Sequence, residues 1–296
     1  MLEDLDFFEE RIGVDAGQTL TKVAYVERGT PQFHFYRTDL DKIDLLRRKI
    51  GFRDKLLSLT GGKALYYKEK LDIDQINILE EFKANSIGVR HLVPKEKRPS
   101  EYLVVTIGSG TSIVHEKGEE VRHVGGTALG GSMFDNFAGL ICDVKDHQRA
   151  LELAEKGNRY NIDLKVGDIY PREDDRIEPG FREMTAASFG KLDKEIDEIC
   201  NPDFLNSLIS MIGENIAIIA SSIAKNKDIN KIVYAGGFLE NNNILKNVLD
   251  RTTKLNEIET IYPQEPMFIG AIGALRTDYK DLARKPTRFS GGVNGE

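Results

Sequence analysis

The feature that most constrains this chain is an internal recurrence. An apolar strand, Ile12-Gly13-Val14-Asp15, runs into the small-residue turn Ala16-Gly17-Gln18-Thr19, then a second strand over residues 22–26 and a turn at Glu27-Arg28-Gly29. Later the same order returns. Leu103-Val104-Val105-Thr106-Ile107 runs into Gly108-Ser109-Gly110-Thr111-Ser112, a strand over 113–116 and a turn at Lys117-Gly118. A strand–turn–strand unit cannot bury its own apolar face, so each copy needs a core around it. The recurrence therefore predicts two lobes built on one plan, and excludes a single-layer or all-helical fold.

The remaining periodicities fill in that plan. Residues 11–15, 22–27 and 32–37 read as three strands of a meander, 40–50 as a helix, 55–60 as a strand closed by Gly61-Gly62, and the stretch ending at 79–89 as mostly helical. Pro94 and Pro99 interrupt this alternation and mark the lobe boundary. Beyond it, 150–156 reads as helical and 184–191 as a helix start. Residues 203–225 give the clearest helix, with Leu205, Leu208, Ile212, Ile216, Ile219 and Ile223 on one face. A buried-type strand at 231–235 meets Gly236-Gly237, another helix begins over 241–249, and the chain turns polar after Leu275. The expectation is an α/β protein of two lobes, residues 1–95 and 96–280, with a polar tail at 281–296 expected to be disordered in part.

Composition narrows the function. With 40% hydrophobic and 30% charged residues the chain can bury a substantial core. A net charge of −7 and a pI near 5.5 argue against a nucleic-acid surface. No uninterrupted apolar run reaches the roughly 18–20 residues of a membrane span, and the first ten residues are acidic where a signal peptide is basic, so the expectation is a cytoplasmic protein off the membrane. Cys142 and Cys200 stand far apart and outside any CxxC pattern, and the five histidines show no pair at metal-ligand spacing.

The turns are where chemistry would sit. Asp15 to Thr19 and Gly108 to Thr111 can aim backbone amides at phosphate oxygens, with hydroxyls from Thr19, Ser109 and Thr111 and a point charge from Lys22. An aspartate ending a strand suits hydrated Mg²⁺, which prefers one or two carboxylates plus water and phosphate. The Gly236-Gly237 turn would let a flat ring lie against backbone. Four glycines between Gly125 and Ser132 argue for backbone close to a ligand. No P-loop, no GxGxxG after a lone strand and no GxSxG elbow is present. Phosphoryl transfer then needs an acceptor-activating carboxylate or histidine from elsewhere.

Several blocks together carry a resemblance. Asp15-Ala16-Gly17-Gln18-Thr19-Leu20-Thr21-Lys22, Leu59-Thr60-Gly61-Gly62, Glu81-Phe82, Gly108-Ser109-Gly110-Thr111-Ser112, Val124-Gly125-Gly126, Gly130-Gly131, Asn161-Ile162-Asp163-Leu164-Lys165-Val166, Thr185-Ala186-Ala187-Ser188-Phe189-Gly190 and Gly270-Ala271-Ile272-Gly273-Ala274-Leu275 resemble, in order, the blocks of type II pantothenate kinases. The resemblance implies two actin-like (ribonuclease H-like) lobes with an ATP cleft, a homodimer, and Mg-ATP-dependent phosphorylation of pantothenate, the first step of coenzyme A synthesis. It makes Glu81 the catalytic base. Asp15, Ala16, Gly17, Gln18, Thr19, Leu20, Thr21 and Lys22 would hold the ATP phosphates, with Mg²⁺ on Asp15 through water. Ser109, with Gly110 and Thr111, would contact phosphate. Gly131, Ser132, Met133, Phe134, Asp135 and Gly237 would line the nucleotide, and Arg122 or His123 with Gly125 and Gly126 would hold pantothenate.

Three departures stand out. Gln18 replaces the second glycine of the phosphate loop, either pressing on phosphate or pointing outward. His123 occupies the position of the arginine that holds pantothenate, with Arg122 one residue earlier. His147 stands where bacterial members carry a nucleotide-side tyrosine. Two rival readings remain beside the leading one: an actin-like kinase for another hydroxyl compound such as an amino sugar, and a catalytically weak nucleotide-binding regulator.

Overall fold

The structure, a computed structural model, describes residues 11–27, 32–39, 55–71, 76–170, 172–192 and 200–277. Two compact units emerge, Met1–Arg98 with Phe268–Glu296, and Pro99–Met267. In the first, a meander of β1 (Arg11–Ala16), β2 (Leu20–Val26) and β3 (Phe33–Asp39) leads to β4 (Leu56–Thr60), helix α1 (Ala64–Leu71), β5 (Ile76–Ile78) and helix α2 (Glu81–Leu92). The second unit opens with β6 (Glu101–Ile107), β7 (Thr111–Lys117) and β8 (Glu120–Thr127), then helices α3 (Gly131–Cys142) and α4 (His147–Ala154). A small pair, β9 (Leu164–Lys165) and β10 (Thr185–Ala187), precedes helix α5 (Asn201–Asn226), β11 (Lys231–Ala235), helix α6 (Asn243–Leu255) and β12 (Glu259–Ile261). Helix α7 (Ile269–Arg276) returns to the first unit.

The two five-stranded sheets have one topology. Their orders are β3-β2-β1-β4-β5 and β8-β7-β6-β11-β12, each an antiparallel meander extended by two parallel strands. The recurrence in the sequence is thus a recurrence of sheets.

Alternation along β1 decides what each face does. Ile12, Val14 and Ala16 point into a core with Val23, Leu57, Leu59 and the α1 residues Ala64, Tyr67 and Leu71. Truncating a residue such as Leu57 to alanine would cost about 2–5 kcal/mol. Gly13 and Asp15 therefore face the other way, toward α2 and α7. There the backbones approach so closely that only hydrogen fits: a Cβ on Gly13 would stand 2.0 Å from the Ala271 carbonyl oxygen, on Gly88 1.9 Å from that of Ile269, and on Gly273 1.8 Å from that of Ala84.

In the second unit Leu205, Leu208, Ile212 and Ile216 of α5 pack with Leu103, Val105 and Ile107 of β6, as their spacing predicts. By length and composition α5 could cross a membrane, yet most of its apolar window is buried within the fold, as in a core helix. Arg159, nearly buried, donates from Nε to Asp163 at 2.6 Å and from its other nitrogens to Glu214 and Thr185, each at 2.8 Å. This network ties the segment 161–166 and β10 to α5.

Three expectations are corrected here. The helix start expected at 184–191 is strand β10, because Thr185 pairs with Lys165 and is held by Arg159. The stretch read as mostly helical before residue 89 contains β5, paired to β4. Helix α7, expected within the lobe 96–280, packs in the first unit, while the boundary at 98/99 falls in the expected proline segment. The helix expected at 40–50 and the tail 281–296 lie outside the described residues.

Candidate active site

The end of β1 gathers the charged groups of the first unit. Asp15 stands in register with Lys22 of β2 and Thr60 of β4, so all three side chains share the face opposite the apolar core. Lys22 Nζ lies 3.1 Å from Asp15 Oδ2, both side chains being mostly buried. Gly61 follows with φ +88°, and a Cβ there would meet Asp15 Oδ1 at 2.7 Å. A glycine is needed where the chain turns this tightly against the carboxylate. The same alternation separates Thr21 from Lys22. Thr21, expected among the phosphate-binding residues, is fully buried on the core face with its hydroxyl on the Tyr67 hydroxyl, so that side chain serves the fold. Ala16 is buried beside it, and Gln18 and Thr19 are exposed on the turn, with Gly17 N–H donating to the Leu20 carbonyl at 3.2 Å.

Glu81 is the first residue of α2. Glu80 caps the helix, its carboxylate accepting the amides of Phe82 and Lys83 at 3.0 and 2.9 Å. Capping by Glu80 leaves the Glu81 carboxylate for other work. It retains exposed area, yet protein crowds it enough that desolvation raises its pKa above the ordinary carboxylate value, with Asp15 raising it, Lys22 lowering it and Glu80 raising it further. A group on a concave wall can meet water on one side and still be desolvated. The result is a carboxylate that holds a proton more readily than usual and senses the charge on Asp15 and Lys22.

Mg²⁺ fits this corner as a hydrated ion. Among the described residues no three His, Cys, Asp or Glu side chains cluster into a cage. The donor set is one carboxylate with a buried hydroxyl beside it, since Thr60 Oγ1 has no hydrogen-bond partner. Such a set suits a cation that keeps its waters and shares phosphate oxygens.

The second unit's loop is more self-contained. Gly108 N–H donates to the Gly110 carbonyl at 2.8 Å, Gly131 N–H to Gly108 at 2.7 Å and Ser132 N–H to Ser109 at 3.2 Å. The Thr111 hydroxyl donates to the Leu129 carbonyl at 2.8 Å. These groups, expected to face phosphate, tie the loop to the start of α3. Phe134 is fully buried, with Met133 only partly so, and the Phe134 ring packs on Phe238 and edge-on against His147. His147 Nδ1 lies 2.6 Å from Asp135 Oδ1, and both side chains remain accessible. Gly237 sits next to Met267. Sequence reasoning did not single out Phe238 or Met267; the aromatic following Gly236-Gly237 was the available signal.

Known proteins resemble this chain along most of its length. A family model described as Fumble matches residues 34–277. A type II pantothenate kinase of Bacillus thuringiensis subsp. konkukian (strain 97-27) is 35% identical over 272 residues, covering 90% of this chain and 97% of that protein. The chain belongs to the type II pantothenate kinase family. Solved structures agree on the fold: the activator of the 2-hydroxyisocaproyl-CoA dehydratase from Clostridium difficile with bound ADPNP has a TM-score of 0.57 at 16% identity, covering 90% of this chain and 92% of that one. A ROK hexokinase from Thermus thermophilus gives 0.52 at 13% identity, covering 92% and 99%. This pantothenate kinase family member thus has the α/β fold of actin-like ATPases and sugar kinases.

In this pantothenate kinase family member the residues expected to hold the acceptor lie on β8. Arg122 and His123 are both exposed and leave the strand on opposite faces, so they are alternatives and not a pair. Arg122 pairs with Glu120 at 3.1 Å on the surface, an interaction worth little in water. Gly125 and Gly126 have packing reasons to be glycine: a Cβ would meet Ile223 Cδ1 at 2.9 Å and the Thr111 carbonyl at 2.5 Å.

Proposed function

We propose that this chain transfers the terminal phosphoryl group of ATP to the primary hydroxyl of pantothenate, the first step of coenzyme A synthesis. Its relatives carry that activity in their names across nearly their whole length. The single observation that supports the chemistry is the gathering of Glu81, Asp15 and Lys22 at one end of β1, with the Glu81 carboxyl raised in pKa.

In this reading Glu81 takes the proton of the attacking hydroxyl as the new P–O bond forms and the bond to ADP breaks. Mg²⁺, when bound, would supply charge neutralisation at the phosphates. Asp15 would hold it through water, and Lys22, already aimed at that corner, would supply a further positive charge. The turn from Ala16 to Leu20 offers backbone amides, and Gln18, exposed, stays off the phosphates. In the second unit Ser109 and Gly110 serve phosphate, and Asp135 and His147 with Gly237 serve the nucleotide. His123 or Arg122 grips the acceptor's carboxylate. Phe137, Leu140 and Ile141 of α3 and Ile218 of α5 are exposed apolar side chains that a second copy of the chain would cover. An activity that consumes ATP and a metabolite belongs in the cytoplasm.

Release of ADP with a panel of pantothenate, N-acetylglucosamine and glucose tests the reading. Pantothenate should give the highest kcat/KM by at least about tenfold, the worth of one well-placed polar contact. Preference for a sugar would overturn the acceptor and leave the kinase.

A further inference from the structure

Asn85 lies on α2 four residues after Glu81, one helical turn along the same face. Only 4% of it is exposed, and among the described residues its side chain makes no hydrogen bond. Buried polar groups nearly always have partners; the Asn85 amide is not among the fully enclosed unpaired atoms, so an unpaired amide that keeps a narrow opening to solvent at a helix crossing needs a reason. Its surroundings supply one. Asn85 Oδ1 and Asp15 Oδ2 each lie 3.0 Å from the point where a Cβ on Gly270 would stand, which puts the two oxygens at most about 6 Å apart. Thr60 Oγ1, beside Asp15 in register, is fully enclosed and among the described residues has no partner. Lys22 reaches Asp15 Oδ2, but among the described residues no donor reaches Asn85.

We infer that Asn85 is a further binding residue of the Asp15 corner, accepting a hydrogen bond from the water shell of a divalent cation held there. The inference rests on reading Asp15 as the cation's anchor. Two acceptor oxygens on adjoining walls cannot satisfy each other, and hydrated Mg²⁺ presents the water O–H donors they lack. Gly270 belongs to the arrangement because any side chain at that position would press on both oxygens at once. Asn85 sits on the helix whose first residue is Glu81, so one rigid element would place both the proton acceptor and the cation's outer contact.

Two nearly isosteric substitutions decide between binding and packing. Asn85→Leu removes the acceptor but fills the space, whereas Asn85→Asp keeps an oxygen in place. Mn²⁺ binding to the full-length protein with ADP, read from the free-ion electron spin resonance signal, should weaken roughly tenfold in Asn85→Leu. Thermal stability should hold, since leucine fills nearly the same volume. Asn85→Asp should restore binding to within about threefold of the wild type or better. If Asn85→Leu does not fold, Asn85→Ala takes its place in the same comparison. Unchanged Mn²⁺ affinity in the folded apolar variant, or no recovery in Asn85→Asp, overturns the role. Asp15→Asn separates the underlying reading: undiminished Mn²⁺ binding there removes Asp15 as anchor, whatever the acceptor panel shows.

Discussion

The two units place different chemistry on the same backbone. At the end of β1, Asp15 stands across from Lys22 and Thr60; at the matching register in the second sheet, Thr106 stands across from Ser112 and Ala235. The chain then turns at Gly61 with φ +88° and at Gly236 with φ +109°, the one packed on the Ala16 carbonyl and the other on that of Ile107. Backbone geometry is kept, yet a carboxylate, an ammonium and a hydroxyl on one side become two hydroxyls and a methyl on the other. The fold needs the strand, the turn and the glycine; only the chemistry needs the charges. In the second loop the Gly108 and Ser109 carbonyls accept the Gly131 and Ser132 amides at the start of α3 and the Thr111 hydroxyl donates to Leu129, while among the described residues each corner keeps one enclosed hydroxyl without a partner, Thr60 in the first and Thr106 in the second.

If chemistry is concentrated in the first unit, Glu81→Gln should lower kcat by about 10²–10⁴-fold with ADP affinity nearly unchanged. Normal turnover would break the contrast at its strongest point. The rate of the wild type should fall with decreasing pH through the raised pKa of Glu81, above the ordinary carboxylate range, and Lys22→Met should move that acid limb higher because Lys22 lowers it. A smaller effect is expected from Thr111→Val, which removes the bond to Leu129: about 0.5–1.5 kcal/mol of stability, with turnover within roughly threefold. A loss of turnover comparable to that of Glu81→Gln would show that the second loop is equally chemical.

The last test concerns acid sensitivity of the fold. His91, on α2, has its pKa lowered from 6.5 to about 4 by burial and by the Arg276 guanidinium. Its folded pKa lies below the unfolded one, so its stabilising neutral form is fully favoured above pH 6.5 and stability is lost as pH falls from 6.5 toward 4. The change should amount to roughly 1–3 kcal/mol, and His91→Gln should flatten the dependence of Tm on pH in that window. An unchanged slope would place the acid sensitivity elsewhere.

The first meander, β6, β7, β11 and α5 were legible from sequence, because two-residue and 3.6-residue periods survive tertiary context, whereas the glycine-broken strand β8 was not read. Asp15 and Lys22 were legible as a pair of candidates, though only the register puts them on one face and turns Thr21 to the other. Strand β5 was missed because three residues carry no period, and β10 because its conformation is set by Lys165 and Arg159 from distant parts of the chain. Asn85 looks like any helix residue until the backbone of Gly270 stands beside it. Spacing alone gave Glu81 no distinction either; resemblance did.

Helix α7 carries one consequence of a different kind. It completes the first unit, yet it is made after the second: while the ribosome is still adding the second unit, Gly13 and Gly88 lack the Ala271 and Ile269 backbones that later press against them. The nascent N-terminal portion owns Asp15 and Glu81 but not the wall that fixes them. Competence for chemistry therefore waits until the second unit has been made, so a chain stalled or clipped before residue 269 holds the charged groups of the corner without the helix wall behind them.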